Sequence, residues 1–83
     1  MIDNNNHLSK EVAKLEAAGW ELLLTDSSEG RGGGDYTAFF GFPGGRLLGI
    51  VHVGVQGEIP PVVNRVFLEV SKVEQALRLA REV

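Results

Sequence analysis

Residues 36 to 55 constrain the fold most, because they have the pattern of two strands joined by a tight turn. Successive residues of a strand face opposite sides of a sheet. Tyr36, Ala38, Phe40 and Phe42 therefore share one face of the first strand, and Leu47, Val51, Val53 and Val55 share one face of the returning strand. Pro43, Gly44 and Gly45 suit the turn between them, because proline presets φ and glycine accepts positive φ. We predict a hairpin here.

The second face of this hairpin is also apolar, since it carries Leu48 and Ile50. Phe67, Leu68 and Leu79 add further apolar side chains near the C-terminus. In an 83-residue chain, two helices cannot easily cover all of this surface, and exposed apolar patches mark protein-binding surfaces. We therefore expect these five residues to form a protein interface, with a protein partner or in a homo-oligomer.

A short helix precedes the hairpin. Residues 1 to 8 are expected to be a disordered N-terminus, with a single α+β domain over residues 9 to 83. Ser9 suits the N-cap of a helix from Lys10 to Ala18, because its hydroxyl accepts a free backbone N–H. Gly19 is the expected terminator, with Trp20 packing back onto Leu15.

A strand and a loop are expected next. Trp20 to Thr25 alternate as a strand, whereas the segment Asp26 to Asp35 has four glycines and almost no apolar side chain. That composition predicts a mobile loop, and the Gly30–Gly34 run within it lacks the spacing of a phosphate-binding motif.

Two interpretations of residues 62 to 82 remain open. Val63, Val66, Val70, Val73 and Leu77 recur every three or four residues, which favours one continuous helix. Residues 62 to 70 also alternate as a strand would, and Ser71 to Glu74 resembles a capping box that opens a new helix. We favour the continuous helix. The predicted fold is then α+β, with a three-stranded antiparallel sheet flanked by two helices.

Composition narrows the classes of function. The formal charge of −3 disfavours nucleic acid as a partner, because the phosphate backbone repels an acidic chain. With no cysteine, the chain has no disulfide or thiolate metal site. No stretch has the features of a signal peptide or the length of a membrane span. We expect a cytoplasmic protein with no cofactor and no membrane partner.

Two stretches resemble the HicA toxin family, whose domains are similar in fold to double-stranded-RNA-binding domains. The segment from Ser9 to Leu22 resembles that family's first helix and strand, and His52 to Pro61 resembles the exit of its third strand. The resemblance implies an RNA-binding or mRNA-cleaving toxin of a toxin–antitoxin pair. The family's Gly-Ser-His motif corresponds here to Gly33-Gly34-Asp35-Tyr36, which contains no histidine.

Few side chains are candidates for catalysis or for nucleic-acid binding. His52 is the only candidate catalytic residue, and as a general base it would need partners. Arg31, Arg46, Arg65 and Lys72 are the candidate nucleic-acid contacts, although acidic residues alternate with them along the chain. The leading hypothesis is a non-catalytic binding or regulatory module. The HicA-like toxin is the alternative, and an inhibitor encoded by a mobile element ranks below both.

Overall fold

The computed structural model describes residues 6 to 42 and 44 to 82. Its elements follow the order α1 (Asn6–Ala17), β1 (Glu21–Gly30), β2 (Gly33–Gly41), β3 (Leu47–Gln56), β4 (Ile59–Glu69) and α2 (Val70–Glu82). The strands form one antiparallel sheet in the order β1-β2-β3-β4. The α+β class and its flanking helices are confirmed. The predicted three-stranded sheet is wrong, because the sheet has four strands.

The helix α1 begins at Asn6, four residues before the predicted start at Lys10. Ser9 therefore lies inside the helix and does not cap it. The prediction of disorder is wrong for residues 6 to 8, which form the first turn of the helix, because burial of Leu8 in the core holds that turn in place. Residues 1 to 5 lie outside the described residues.

The end of α1 is the predicted glycine cap. Gly19 has a φ of 99°, a conformation that favours glycine. Its N–H donates to the carbonyl oxygen of Glu16 at 3.0 Å, and the N–H of Trp20 donates to that of Leu15 at 2.9 Å. This pair of hydrogen bonds is a Schellman motif, and it turns the chain directly into β1.

The core lies between α1 and one face of the sheet, here called the inner face. The predicted alternation of the hairpin is confirmed, because Tyr36, Ala38, Phe40, Val51 and Val53 are all fully buried there. Leu8, Val12 and Leu15 of α1 pack against them. The turn between β2 and β3 also has the expected chemistry, with positive φ at Gly44 and Gly45.

The segment from Asp26 to Asp35, predicted to be a mobile loop, is a hairpin instead. β1 continues to Gly30, and β2 begins at Gly33 after a two-residue turn. Gly33 pairs with Gly30 on one side and with Gln56 of β3 on the other. A Cβ at Gly33 would lie 1.9 Å from the carbonyl oxygen of Val55, so the glycine permits close backbone approach. Backbone pairing orders this segment where side-chain burial could not.

The C-terminal segment is a strand followed by a helix, so the predicted continuous helix over 62 to 82 is wrong. Gly57, with a φ of 54°, forms the turn from β3, and β4 then pairs along the length of β3. The β-branched residues Val62, Val63 and Val66 suit a strand. Pro60 and Pro61 lack an N–H to donate. They are tolerated because β4 is an edge strand and because they lie where the β3–β4 register shifts, between the pairs Gln56–Ile59 and Gly54–Val62.

The fold has two layers only. The Cα atoms span 43 × 35 × 17 Å, and a thickness of 17 Å accommodates the sheet and one helix. That helix is α1, since α2 contacts little beyond β4 and its side chains are mostly exposed. The sheet face opposite α1 is here called the outer face. Among the described residues, neither helix has the length and apolar character needed to cross a bilayer.

Candidate functional site

The outer face carries an apolar row that crosses all four strands. The strand register places Leu24 beside Phe39, Phe39 beside Ile50, and Ile50 beside Val66. Leu24 is 54% exposed and Val66 is 46% exposed, although both are large hydrophobic residues. Phe39 and Ile50 are half-buried by their neighbours within the sheet.

A second apolar row lies next to the first, toward the turn between β2 and β3. It contains Gly41, Leu48 and Leu68, which are cross-strand neighbours, and it ends on β1 at the exposed Glu21. A β-bulge between Leu22 and Leu24 also brings Leu23 to this face, where its side chain lies over Gly41. These two rows together are here called the apolar half of the outer face.

The remainder of the outer face is mostly polar, with the exposed Val62 of β4 as an exception. The next row toward the opposite end of the sheet contains Asp26, Thr37, His52 and Asn64, one from each strand. Ser28 and Asp35 follow in the row beyond it. These residues are here called the polar half, and its boundary with the apolar half runs across the strands.

His52 and Asp35 form the one side-chain hydrogen bond recorded on the outer face of the described chain. The His52 Nε2 atom lies 2.9 Å from Asp35 Oδ1, with the two residues placed diagonally on neighbouring strands. Gly54 is the direct partner of Asp35, and a Cβ there would lie 3.4 Å from His52 Cε1. The aspartate holds the imidazole ring in one orientation, as an acceptor carboxylate does in many histidine sites.

The metal-binding capacity of this pair is low. A stable site needs at least three protein ligands in most cases. Across residues 6 to 42 and 44 to 82, no three histidine, aspartate or glutamate side chains are grouped to hold a metal ion.

A shallow groove of about 480 Å³ lies beside the polar half, at the tips of the two hairpins. Backbone of Gly30 and Gly32 to Gly34 forms much of its wall, and two acidic residues and one basic residue also line it, namely Glu29, Asp35 and Arg31. The two carboxylates oppose the binding of an anion by the glycine N–H groups.

The four predicted nucleic-acid contacts are not brought together. Arg31 lies in the β1–β2 turn and Arg46 in the β2–β3 turn, at opposite ends of the nine-residue β2. Arg65 lies on the inner face, where its guanidinium is paired with Glu11, and Lys72 lies on α2. Such a distribution does not form the continuous basic surface typical of nucleic-acid binding.

The five predicted interface residues are divided among three places. Leu48, Ile50 and Leu68 lie together in the apolar half of the outer face. Phe67 points to the inner face, where its ring centroid is 5.2 Å from that of Trp20, and Phe42 lies 4.9 Å from Trp20 on another side. Leu79 lies on α2 and is largely exposed.

Sequence reasoning missed Leu24, Phe39 and Val66, which complete the apolar row, and Asp35, which pairs with His52. The favoured interpretation places Val66 in a helix, with a strand as the open alternative, and the predicted mobile loop contains Asp35. Alternation of Phe39 with Ala38 and Phe40 could have placed it on the second face with Ile50.

No protein-family model, no curated protein and no solved structure matches this chain.

Proposed function

We propose that this protein is a non-catalytic binding module that works through protein–protein contact, with the apolar half of the outer face as its contact surface. The observation that carries the proposal is the row Leu24, Phe39, Ile50 and Val66, which crosses the whole sheet with no described element packed over it. Contiguous apolar patches of this kind are the usual mark of an interaction site.

The size of the patch supports this function. Four strands enclose three gaps of about 4.8 Å, so the row is roughly 15 Å long. Two adjacent rows make the patch about 10 Å wide once side chains are included. Burial of apolar surface yields about 25 cal/mol per Å², so covering this patch would supply several kcal/mol toward binding. The polar half beside it would form the hydrated rim common to protein interfaces.

Two matched variants test the proposal. Ile50 and His52 are two residues apart on β3 and face the same side of the sheet, in the apolar half and the polar half respectively. Ile50→Ser should weaken binding by about tenfold or more, because it puts a hydroxyl into the apolar contact. His52→Ser should leave binding close to that of the unmodified protein.

The tagged chain is purified from the cells that express it, and any protein bound to it in stoichiometric amount is measured. Sedimentation velocity of the purified chain gives its oligomeric state. Thermal unfolding of both variants checks that they fold. A chain that stays monomeric and recovers no stoichiometric partner would refute the proposed function, and so would equal loss of binding in the two variants.

A HicA-like RNA-binding or RNA-cleaving toxin is the second candidate function. The observation that favours it is the proximity of His52 to Asp35, because Asp35 lies in the segment that corresponds to the family's histidine motif. A histidine thus reaches this position from the neighbouring strand. An exposed histidine held by a carboxylate could act as a general base toward a bound hydroxyl group.

The test of this second function is an RNA gel shift over a range of salt concentrations, beside growth arrest on expression. His52→Ala should abolish growth arrest, and Thr37→Ala, beside it on β2, should not. Growth that is unaffected by the unmodified protein, together with no RNA shift at low salt, would exclude this candidate.

A further inference from the structure

Within the described residues, the helix α2 has an apolar stripe that is only partly buried. Val70, Val73, Leu77 and Ala80 are spaced three or four residues apart and lie on one side of the helix. Leu77 is nevertheless 57% exposed, and only Val70 and Val73 are partly buried. An isolated helix of 13 residues is marginal in water, so tertiary or quaternary packing must stabilise it.

The apolar half of the outer face cannot receive α2 of the same chain. β4 ends at Glu69 and α2 begins at Val70, so no residue separates them. A helix that folds back onto its own sheet is usually reached through a connection of about two to six residues. The first turn is also held in place, because the N–H of Val70 donates to the carbonyl oxygen of Arg46 at 2.9 Å.

The stripe and the apolar half have matching dimensions. Val70 to Ala80 spans ten residues at about 1.5 Å each, which makes the stripe roughly 15 Å long. The apolar row across the four strands has the same length of roughly 15 Å. The helix has a diameter of about 10 Å with its side chains, which matches the width of the apolar half.

The surface area and the radius of gyration of the chain are both larger than those of a compact monomer. Its accessible surface is 6246 Å², whereas a folded monomer of 9.0 kDa exposes about 4,900 Å². Its radius of gyration is 14.7 Å, against about 11.8 Å for a compact domain of 83 residues. The exposed apolar side chains of the outer face and of α2 contribute to this larger surface, and a standard interface buries approximately 800 Å² of each partner.

The charges around the two surfaces are complementary. Arg78 and Arg81 lie along one border of the stripe on α2 together with Glu74, so this border carries a net positive charge. Asp26 and Asp35, both exposed, lie in the polar half of the outer face, next to the apolar half. A helix seated on the apolar half can place its arginines near these carboxylates at the rim, where such pairs favour one orientation.

We infer that the occupant of the apolar half is α2 of a second copy of this chain, in a two-fold dimer that exchanges the helices reciprocally. This inference rests on the proposed function and names the partner. Each copy has one exposed apolar half of the outer face and one exposed apolar stripe on α2. A two-fold dimer covers these two surfaces in each copy, and it is a closed assembly that does not extend into a filament.

Because the chain has no cysteine, introduced cysteines can test this contact directly. A tagged Ile50→Cys chain is mixed with an untagged Leu77→Cys chain, exchanged and then oxidised. We expect a disulfide-linked heterodimer. The matched control is Gln75→Cys, which lies on the opposite side of α2 from Leu77 and should cross-link to Ile50→Cys about tenfold less.

Sedimentation equilibrium provides a second measurement that needs no cysteine. The unmodified chain should sediment at twice its mass of 9.0 kDa. Leu77→Ser and Ile50→Ser should each raise the dimer dissociation constant by about tenfold or more, and Gln75→Ser should not. Far-UV circular dichroism of each variant checks that the domain is folded.

The outcomes separate this inference from the proposed function. One outcome is a dimer in which Ile50→Cys of one chain cross-links to Ile50→Cys of the other, while Ile50→Cys and Leu77→Cys do not cross-link. In such a dimer the outer faces of the two sheets pack against each other. That result would overturn helix exchange and leave the proposed function standing. A monomer that binds a different protein through Ile50 would do the same. A monomer with no stoichiometric partner would overturn both.

Discussion

The carboxylate of Glu11 on α1 accepts hydrogen bonds from two nitrogen atoms of the Arg65 guanidinium on β4. Arg65 Nε lies 3.3 Å from Glu11 Oε2, and Nη2 contacts Oε1. Glu11 is buried, with 8% of its side chain exposed, while Arg65 is 47% exposed. The pair therefore ties the N-terminal helix to an edge strand 54 residues later, and it compensates a carboxylate that α1 places against the core.

Arg65→Ala should lower the free energy of unfolding by about 1–3 kcal/mol, because it leaves the Glu11 carboxylate buried without its partner. The solvent exposure of Arg65 places the expected value in this range and not higher. Urea denaturation measures the change. Arg46→Ala, in an exposed turn, is the control and should stay within about 0.5 kcal/mol. Equal effects of the two substitutions would refute a stabilising role for the pair.

Gly19→Ala should destabilise the protein by about 1–2 kcal/mol, because an L-residue is strained at the φ of 99° that the cap requires. No atom outside its immediate neighbours lies within 4 Å of the new Cβ, so crowding contributes nothing. Gly30→Ala is the matched control, since its Cβ is also unobstructed and its φ is not positive. Thermal unfolding should show a lower Tm for Gly19→Ala and not for Gly30→Ala. An unchanged Tm of Gly19→Ala would refute the backbone strain expected at this position.

Phe67→Ala should cost about 1–2 kcal/mol of stability, because it removes a ring that packs against Trp20 near Gly49. Leu79→Ala removes a similarly exposed apolar side chain from α2, on the side away from its apolar stripe, and should cost less than about 0.5 kcal/mol. Trp20 also gives a direct readout, since its fluorescence should change in Phe67→Ala and not in Leu79→Ala. The reverse pattern would show that α2 packs more tightly than the structure has it.

His52→Ala should change the stability of the monomer by less than about 1 kcal/mol, because the His52–Asp35 pair is partly exposed to solvent. Denaturant unfolding of His52→Ala and Asp35→Ala measures this. A double-mutant cycle gives the coupling between the two residues. If the free energy of unfolding fell by several kcal/mol, the His52–Asp35 pair would be needed for the stability of the sheet. Loss of growth arrest in His52→Ala could then result from unfolding as well as from loss of RNA cleavage.

Local sequence patterns predicted the elements that depend on neighbouring residues. The alternation of Tyr36, Ala38 and Phe40 predicted β2, and Gly19 followed by Trp20 predicted the helix cap. In both cases the interaction that decides the structure acts within a few residues. Leu48 and Ile50 lie together for the same reason, since they are two residues apart on β3, whereas Leu68 joins them only because β4 pairs with β3.

The sequence by itself determined the α1 cap, the central hairpin, the inner core and the surplus of apolar side chains. Only the tertiary structure decided that residues 59 to 69 form a fourth strand, because the spacing of Val63, Val66 and Val70 fits a helix or a strand until the edge of β3 offers a partner. It also decided that Asp35 meets His52, since strand register depends on backbone hydrogen bonds between segments distant in sequence. The open outer face follows from the same choice, because residues needed for a second covering helix were used in the sheet.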